Sequence, residues 1–480
     1  MKLRDIFKIF SKKRILQRLG TISHISARYD VGLKDDFLSS IPVYSKTADE
    51  EIRSDLVTIR ARSRYVTQNS PIIQRYISAL KVNVIGENGF TLQVRGRNPD
   101  NTLDTAANNL IEELWYDWQY TCDIEGKLNF FEMLNMIIES VARDGEIFVY
   151  VDDAYQGNKY HIALQLIEAD YCDVNHWANN GSNQIRCGIE YDSQNRVVAY
   201  WFKQQNGYKR IDANNIIHLF KRERVWQSRG YSWIAPVIID AIHLQQYIKA
   251  AVVNARIGAA KMGFYKQKDI SVDISAVASE KDTETGKLYD SVTPGQFGIL
   301  PAGWELQVYD PKYPDQQFAD FVKAIIRNIA TGLNVSYELL SGDLSQVNYS
   351  SARVGMLAER DYFKSVQRWF KEVFLYKIYE RWLDNVFLLG LVRFENGIVP
   401  YQKKDKYMNY EFIGRGYDWV DPEKDIDAKI KEIMAGLSSW SEVAAMKGKN
   451  LEDIVAQIQK DKEIFAKKGI KVIMDKEVIQ

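Results

Sequence analysis

Apolar residues recur at helical spacing in several blocks along the first third of the chain. The block 51–81 predicts a helical region that breaks at Asn69-Ser70-Pro71, where Ser70 can cap a helix and Pro71 can start one. The blocks 108–120 and 130–142 predict two further helices, because their apolar side chains gather on one side of a helix of about 3.6 residues per turn.

The pattern then changes to short runs rich in β-branched and aromatic residues, separated by turn residues. The predicted strands are Glu146–Val151, His161–Glu168, Ile185–Tyr191, Arg196–Phe202 and Ile216–Phe220. Since consecutive short strands with tight connections pair with their neighbours, we expect an antiparallel meander packed on the preceding helices.

Two helices flank a turn-rich insert in the middle of the chain. Pro236 opens the first helix, of about twenty residues. The second has one apolar face, made of Phe318, Phe321, Val322, Ile325, Ile326, Ile329 and Leu333. The insert, residues 258–311, contains two strand-like runs, Phe297–Leu300 and Trp304–Tyr309, among turn residues. The pattern predicts a helical hairpin that carries a small α/β insert.

A polar loop and a long helix follow the hairpin. The loop spans residues 341–351, and Ser350 or Ser351 can cap the helix after it. No Gly or Pro occurs from Met356 to Leu389, so we expect one unbroken helix there.

The C-terminal part of the chain has the pattern of a separate helical unit. Asp421-Pro422 supplies an N-cap with proline at the first helical position, and Gly436 can end that helix. Asn450 can cap a second helix, which Gly469 ends. Taken with the preceding blocks, the chain is expected to have an α+β fold.

Composition places the chain among globular proteins. Of its 480 residues 46% are hydrophobic and 12% aromatic, which excludes a disordered chain and supports a core divided between roughly two to four regions. Its 63 basic residues balance 63 acidic ones, which excludes a polycation that binds nucleic acid through bulk charge. Three cysteines cannot form a disulfide scaffold and indicate folding in a reducing cytosol.

Residues 1–52 comprise a basic arm and an irregular segment that leads into the first helix. The arm has no apolar run of signal-peptide length, and it is interpreted either as an amphipathic basic helix or as a solvated tail. The most apolar stretch elsewhere, Val237–Ile257, is interrupted by polar side chains at every turn. We therefore expect a soluble protein with no membrane partner.

Candidate catalytic and metal-binding chemistry is sparse. No phosphate-binding loop occurs, and none of the five histidines is at ligand spacing from another. The densest polar cluster consists of Glu168, Asp170, Cys172, Asp173 and His176. These are suitable metal ligands, but acidic turn residues are also routine directly after a strand. The sequence predicts no catalytic residue, no metal site and no cofactor.

Two basic clusters are candidates for nucleic-acid contacts. They are Arg60, Arg62 and Arg64 in the first helical block, and Arg222 and Arg224, which lie with Lys221 and Arg229 around Trp226. Either cluster could neutralise phosphates. Solvated faces and salt bridges between subunits explain the same residues equally well.

The order of several short motifs resembles the lambda family of phage portal proteins. The motifs are Ile59-Arg-Ala-Arg-Ser-Arg-Tyr65, Asn69-Ser-Pro71, Asn83-Val-Ile-Gly86, Trp115 with Trp118, Cys122-Asp123 and Gly126, Asp144-Gly145-Glu146, Gln227-Ser-Arg229-Gly230 with Pro236, Asn348-Tyr-Ser-Ser-Ala-Arg353 and Trp419-Val-Asp421-Pro422. Together they cover about residues 50–470, whereas the N-terminal arm matches no part of the family pattern.

The resemblance implies a ring, usually of twelve subunits, at one vertex of a phage head. Double-stranded DNA passes through such rings during packaging and ejection. The implied parts are a wing at 53–230 and 352–420, a stem at 231–257 and 312–340, a clip at 258–311, a tunnel loop at 341–351 and a crown at 421–480. Implied partners are a terminase motor, head-completion or adaptor proteins, the major capsid protein and scaffold. The protein would be assembled in the host cytoplasm and located in the virion.

The resemblance also indicates which side chains meet DNA. It places the tunnel-loop residues Asp343, Gln346, Asn348 and Tyr349 at the narrowest part of the channel. Lys323 and Arg327 lie four residues apart, largely opposite the apolar face of their helix, so they are candidates for the channel lining. The alternative is that both cations pair with acidic residues of the neighbouring subunit. Two other functions remain open, a nucleic-acid-processing enzyme of the packaging apparatus and a different ring-forming or membrane-associated assembly protein.

Overall fold

A computed structural model of the chain describes residues 44–259, 263–267, 280–281, 288–289, 304–308, 317–345, 349–395, 397–417, 422–447 and 451–467. These residues form the expected α+β fold, in which long helices pack beside small antiparallel sheets.

Four helices precede the main sheets. They are α1 (Ala48–Asn69), α2 (Pro71–Leu80), α3 (Thr105–Trp118) and α4 (Phe130–Asp144), and a π-helical turn, Lys81–Ile85, extends α2. The predicted break at Ser70-Pro71 is confirmed, with Pro71 as the first residue of α2. The start of α1 is fixed by a capping box. The Thr47 hydroxyl accepts from the Glu50 amide, and the Glu50 carboxylate accepts from the Thr47 amide.

Nine strands lie between residues 91 and 220, and the last eight of them form two main sheets. The strands are β1 (Thr91–Val94), β2 (Glu146–Asp152), β3 (Ala163–Ile167), β4 (Ala178–Asn180), β5 (Asn183–Arg186), β6 (Ile189–Tyr191), β7 (Val197–Gln204), β8 (Gly207–Asp212) and β9 (Ile216–Phe220). One sheet has the order β3-β2-β9, and the other is the meander β4-β5-β6-β7-β8. All of these pairings are antiparallel, as predicted, but the predicted strands do not form one meander, because β9 pairs with β2 and not with its neighbour β8.

The single strand predicted over Ile185–Tyr191 is wrong, because a hairpin turn divides it. Cys187 and Gly188 both adopt positive φ, 52° and 80°, between the paired residues Arg186 and Ile189. Two consecutive positive φ angles are the geometry of a tight hairpin turn. A cysteine in the first turn position gives no sequence signal for that turn, and strand β8 was also not predicted.

The predicted helical hairpin is formed by α5 (Ile238–Ala259) and α6 (Phe318–Gly332). The helices are antiparallel. Asn328, late in α6, donates to Asp240, early in α5, at 2.6 Å, and Tyr247 of α5 stacks on Phe318 at the start of α6. The backbone between them includes β10 (Gly263–Gln267), β11 (Glu280–Lys281), β12 (Leu288–Tyr289) and β13 (Trp304–Val308), with β10 paired to β13. The predicted strand at 297–300 lies outside the described residues.

The apolar face of α6 is only partly covered within one subunit. Its end is buried, since Ile326, Ile329 and Leu333 are less than 9% exposed, whereas Phe321 is 51% exposed. The face therefore contacts the rest of the subunit mainly through its C-terminal half.

A short helix and a long interrupted helix follow. The helices are α7 (Tyr337–Ser341), α8 (Tyr349–Phe370) and α9 (Tyr376–Leu388), with a π-helical segment, Lys371–Leu375, joining the last two. The long helix is thus confirmed, although it contains a π segment and begins earlier than predicted. Ser350 and Ser351 lie inside α8, so the prediction that one of them caps this helix is wrong.

The last elements return to the start of the chain and then form a helical end. They are β14 (Arg393–Phe394), β15 (Gly397–Ile398), a 3-10 helix (Tyr401–Met408), β16 (Tyr410–Ile413), α10 (Pro422–Met434), α11 (Trp440–Met446) and α12 (Leu451–Lys467). β16 pairs with β1 and so joins the C-terminal part of the chain to its N-terminal part. The helix α11, started by a Ser439–Glu442 capping box, was not predicted.

One large core unites the helices, and a smaller core lies between the sheets. In the large core the Trp115 ring of α3 lies 5.1 Å from Trp382 of α9 and 5.8 Å from Phe412 of β16, measured between ring centroids. In the smaller core Phe148 of β2 meets Tyr200 and Phe202 of β7. Among the described residues, no helix is both long enough and apolar enough to span a bilayer.

Candidate functional site

The two candidate channel cations converge on the turn that follows α7. The Lys323 ammonium lies 3.5 Å from a carboxylate oxygen of Asp343. The Arg327 guanidinium lies over the Tyr337 ring, 5.4 Å from its centroid, and the Tyr337 hydroxyl donates to Asp343 at 3.1 Å. The middle of α6, the start of α7 and the turn after α7 therefore form one small polar cluster in a single subunit.

Asp343 is fixed as an anion by this arrangement. Its Oδ1 accepts from the Ser345 hydroxyl at 2.6 Å and from the Ser345 amide at 3.0 Å. These hydrogen bonds, followed by those of Tyr337 and the charge of Lys323, hold the pKa of Asp343 well below its ordinary value. Lys323 therefore faces a charged partner in its own subunit, whereas the sequence left a partner in the neighbouring subunit open.

The other tunnel-loop candidates have different positions. Gln346 and Asn348 lie outside the described residues. Tyr349 is the first residue of α8, so the loop is shorter than the range 341–351 expected from the sequence. Of the four tunnel-loop candidates, Asp343 is the one that the described structure places beside Lys323.

A second polar site is a buried ionic cluster around Glu146, the first residue of β2. Glu146 is completely buried and accepts from Arg229 at 2.6 Å, from Arg60 at 2.9 Å and from His218 at 2.9 Å. Arg229 is also completely buried, and its remaining N–H groups donate to the carbonyls of Ala169, Cys172 and Cys187. All the polar atoms of the Arg229 guanidinium are thus paired inside the protein.

The charges of this cluster balance locally. Burial alone would raise the pKa of Glu146, but Arg229, His218 and Arg60 together lower it far below its ordinary value. Burial lowers the pKa of His218, whose ring stacks on Phe148 with 4.2 Å between centroids. Such a cluster is costly to break, because removing one partner leaves an uncompensated buried charge.

A shell of half-buried ion pairs extends the cluster to the surface. Arg64 donates to Asp144 at 2.8 Å. Burial would raise the pKa of Asp144, but the hydrogen bonds and charges of Arg143 and Arg64 outweigh burial and lower this pKa. Asp170 accepts from Arg60 at 2.8 Å. The cluster joins α1, the α4–β2 junction and the strand β9.

The basic-patch hypothesis is wrong for Arg60 and is modified for Arg64. Arg60 is 3% exposed and pairs with Glu146 and Asp170, so it is not available to a phosphate. Arg64 pairs with Asp144 and Asp170 of its own chain. Arg60 and Arg64 are therefore paired within one subunit, whereas the sequence suggested phosphate contacts, solvated faces or salt bridges between subunits.

The remaining basic candidates lie at the surface. Arg62 and Arg222 are exposed, and the Arg222 guanidinium rests on the Phe220 ring. Arg224 is exposed but pairs with Glu51 and donates to the Lys46 carbonyl. Contact of these three residues with nucleic acid stays a prediction.

The candidate metal cluster in residues 168–176 is dispersed by the fold. Asp170 pairs with Arg60, Asp173 pairs with Lys203 at 3.0 Å, and the Cys172 thiol faces backbone carbonyls. Among the described residues no group of three His, Cys, Asp or Glu side chains is arranged to hold a metal ion. The three cysteines are buried, and burial raises the pKa of Cys172 to about 11.

Several residues of the ionic cluster belong to the sequence motifs, but the sequence did not indicate that these motifs meet in one site. Asp144-Gly145-Glu146 and Gln227-Ser-Arg229-Gly230 meet through the Glu146–Arg229 ion pair. Their glycines meet as well, since a Cβ on Gly230 would overlap the Gly145 carbonyl.

Comparison with known proteins gives consistent matches. The family model for phage portal proteins of the lambda family matches residues 35–367. A probable portal protein of Halomonas phage phiHAP-1 is 33% identical over 438 residues, which cover 88% of this chain and 83% of the relative. Portal protein B of Escherichia phage lambda is 22% identical over 403 residues, 73% of each chain. A chain from the virion of a native gene transfer agent particle is similar in structure, with a TM-score of 0.43 and 13% identity over 84% of this chain and 99% of that chain.

Proposed function

The chain belongs to the lambda family of phage portal proteins, and from this membership we propose that it forms a ring at one vertex of a phage head. The ring serves as a passive channel for double-stranded DNA, inward during packaging and outward during ejection. Twelve subunits is the number that the family resemblance implies. Portal proteins are components of the virion, and we propose assembly of this one in the host cytoplasm.

We assign the parts of the ring to the elements of the fold. The antiparallel pair α5 and α6 forms the stem, and the insert 258–311 between them forms the clip. The helices α1–α4, the two main sheets and the long helix α8–α9 form the wing. The residues between α7 and α8 form the tunnel loop, and α10–α12 form the crown.

The observation that carries the channel assignment is the Lys323–Asp343 pair. A DNA channel has to neutralise some of the DNA phosphates without binding the DNA tightly. The strength of DNA binding rises steeply with the number of phosphates that cations neutralise. A ring repeats each cation once per subunit. Pairing Lys323 with Asp343 in the same subunit lowers the net positive charge of the lining while keeping a cation near the DNA.

The proposed partners follow from the same assignment. The clip is proposed as the docking site of a terminase motor, which would supply the packaging energy. Head-completion or adaptor proteins, the major capsid protein and scaffold would contact the outside of the ring. The protein itself is proposed to be a structural member of the apparatus with no cofactor and no enzymatic activity, in contrast to a packaging nuclease or ATPase.

Electron microscopy of the purified full-length protein tests the proposal. Rings with a central channel are the expected result, whereas monomers with nuclease or ATPase activity that persists in partner-free preparations would favour the enzyme. The lining is tested separately with a photo-crosslinking amino acid at position 346. Crosslinks to DNA are expected in filled particles, and filled particles without such crosslinks would refute the tunnel-loop assignment.

A further inference from the structure

The segment that follows β16 is held against the long helix α8. It consists of residues 414–417, Gly-Arg-Gly-Tyr, and because it leads toward the crown we call it the crown root. Gln367 of α8 donates to the Arg415 carbonyl at 3.2 Å, and the Arg360 guanidinium lies over the Tyr417 ring, 5.4 Å from its centroid. Arg360 and Gln367 are about two helical turns apart, so they extend from the same side of α8.

The π-helical turn that extends α2 supplies the other half of this binding site. The last carbonyls of a helix have no partner within it, and those of Val82 and Asn83 belong to this last turn. Arg415 donates to the Val82 carbonyl at 2.6 Å. The Asn83 carbonyl accepts from the Tyr417 hydroxyl at 3.1 Å and from Gln367 at 2.9 Å. The crown root therefore completes the hydrogen bonding of a helix end in the wing.

The crown root also contacts the crown itself. Gly416 lies so close to Lys447, the residue after α11, that a Cβ on Gly416 would overlap the Lys447 backbone. The neighbours Arg415 and Tyr417 are held by the wing at the same time. A movement of α11 toward the wing therefore displaces the crown root.

A cleft leaves the crown room for such a movement. It has a volume of about 750 Å³ and separates the last two crown helices from β1 and α3. Val94 and Asn109 line it on the wing side, and Ala445 and Val455 line it on the crown side. On this side the crown is not packed closely against the wing.

The same stretch of α8 holds the element that precedes the tunnel loop. The Glu359 carboxylate accepts from the Ser336 amide at 2.6 Å, and Ser336 is the N-cap of α7. The helix α8 itself begins at Tyr349, on the other side of the tunnel loop. Both ends of the loop thus depend on α8, one through Glu359 and the other through the first turn of the helix.

We propose that residues 359–367 of α8 form a junction that couples the position of the crown to that of the tunnel loop, an inference that rests on the proposed assignment of both parts. Coupling between sites is carried by packed side chains, hydrogen bonds and rigid helices. All three connect Lys447 to Ser336, through the crown root and α8. A shift of the crown therefore moves α8, and α8 moves the loop that meets the DNA.

Hydrogen exchange of the full-length protein tests the coupling. The amides of Asp343 and Ser345 donate to side chains of their own turn, so their exchange reports on the tunnel-loop side. Gly416→Ala places a methyl against the backbone of Met446 and Lys447 and so pushes the crown away from its root. We expect the exchange of the two reporter amides to rise at least about threefold, because their hydrogen bonds open more often.

The matched control is Gly436→Asn in the crown. Gly436 has open space around it and φ of 71°, a conformation that asparagine tolerates. Exchange at Asp343 and Ser345 should not change in this variant. Strands β4–β8 should keep their native exchange in both variants, which separates coupling from a general loss of stability. Unchanged reporter amides in Gly416→Ala, or equal rises in the two variants, would overturn the proposal.

A milder variant decides the question if Gly416→Ala does not fold. Tyr417→Phe loses the hydrogen bond to the Asn83 carbonyl and keeps the ring under Arg360. A smaller rise at the same two amides is expected, and native exchange there would count against the junction.

Reciprocity provides an independent readout, because a coupling between two sites acts equally in both directions. Glu359→Ala removes the acceptor of the Ser336 amide and should raise the exchange of the Lys447 amide, which donates to Ala444 in α11. Asp361→Ala is the control, an exposed carboxylate in the same stretch of α8. A local stabilising role of Glu359 would leave the exchange of Lys447 unchanged, and that result would refute the coupling.

The outcomes distinguish this inference from the proposed function. If rings form and position 346 crosslinks to DNA while Gly416→Ala leaves the reporter amides unchanged, the coupling is wrong and the channel stands. If the reporter amides respond as expected but position 346 never reaches DNA in filled particles, the coupling is right and the tunnel-loop assignment is wrong.

Discussion

Lys323 and Asp343 form an ion pair within one subunit, with 3.5 Å between the ammonium nitrogen and a carboxylate oxygen. The pair joins α6 to the turn after α7, and the side chains are 26% and 30% exposed. Because both residues belong to the proposed channel lining, the net charge that DNA meets depends on the pair and not on Lys323 alone.

Asp343→Asn should make the channel hold DNA more strongly. The substitution leaves the Lys323 charge without its partner in every subunit of the ring, and each additional cation near DNA strengthens binding in a salt-dependent way. Lys323→Gln should act in the opposite direction, and both variants should still form rings. The measurement is DNA retention in filled heads as a function of salt.

A matched control is Glu372→Gln. It removes the same charge from the exposed Arg368–Glu372 pair, which lies where α8 meets the π segment. DNA retention should not change in this variant. A similar change in Asp343→Asn and Glu372→Gln would mean that total charge, and not the position of Lys323, controls retention.

Arg229→Ala should destabilise the fold severely. The substitution leaves Glu146 buried with one fewer cation and removes the guanidinium donors from the carbonyls of Cys172 and Cys187. Breaking a buried pair in this way typically costs about 3–5 kcal/mol. Urea unfolding of the unassembled subunit gives the loss of unfolding free energy.

The comparison variant is Arg196→Ala, which removes an arginine that is 72% exposed from its pair with Asp192. An exposed pair contributes about 0.2–1 kcal/mol. Comparable losses in the two variants would show that the Glu146 cluster does not stabilise the subunit as its burial suggests.

Glu190 should make the subunit acid-sensitive between about pH 4.5 and pH 2. Burial would raise the pKa of Glu190, but hydrogen bonds from Arg210, Asn183 and Trp201 outweigh burial and lower it to about 2. A depressed pKa contributes stability that is complete above the unfolded pKa and is lost as the pH falls through the folded pKa. The loss should be on the order of 3 kcal/mol.

Glu190→Gln tests this dependence. The variant should be less stable than the native chain near neutral pH, and its unfolding free energy should fall less steeply between about pH 4.5 and pH 2. Glu168→Gln serves as the control, since it removes an exposed carboxylate at the surface. Parallel pH profiles for the native chain and Glu190→Gln would contradict the prediction.

Gly230→Ala should destabilise the subunit by about 1–3 kcal/mol, as overpacking typically does. The added methyl would overlap the Gly145 carbonyl and lie 2.6 Å from the Phe220 Cβ. Thermal unfolding measures the effect. Gly355→Ala is the counterpart, because Gly355 lies inside α8 with open space around it, and alanine there should stabilise the helix by about 0.5–1 kcal/mol. Equal effects of the two substitutions would refute the close approach at Gly230.

The sequence predicted well those elements whose signal is local. The break at Ser70-Pro71, the apolar face of α6 and the start of α10 at Pro422 all depend on capping residues, proline and helical spacing within a few turns. The hairpin at Cys187-Gly188 was missed, because a positive φ at a cysteine has no local signal.

The pairing of Lys323 with Asp343 could be foreseen only in part. The sequence placed Lys323 and Arg327 on one side of a helix and put Asp343 in the loop beyond it. It did not indicate the direction of the loop, and the alternative to DNA contact that it offered was a partner in the neighbouring subunit. The turn of the chain through α7 decides the pairing, since it returns Asp343 to α6.

By itself the sequence determined the long helices, the strands β2, β3, β7 and β9 and the family, since each rests on short patterns or on motifs in order. Only the tertiary structure decided what the charged motif residues do. Arg60 and Arg229 stand 86 and 83 residues from Glu146, and local periodicity cannot indicate which distant charges meet. Packing brings α1, β2 and the segment before α5 together, and the low polarity of that interior requires each charge there to find a partner. Arg60, which the sequence suggested as a surface cation, is therefore part of the core.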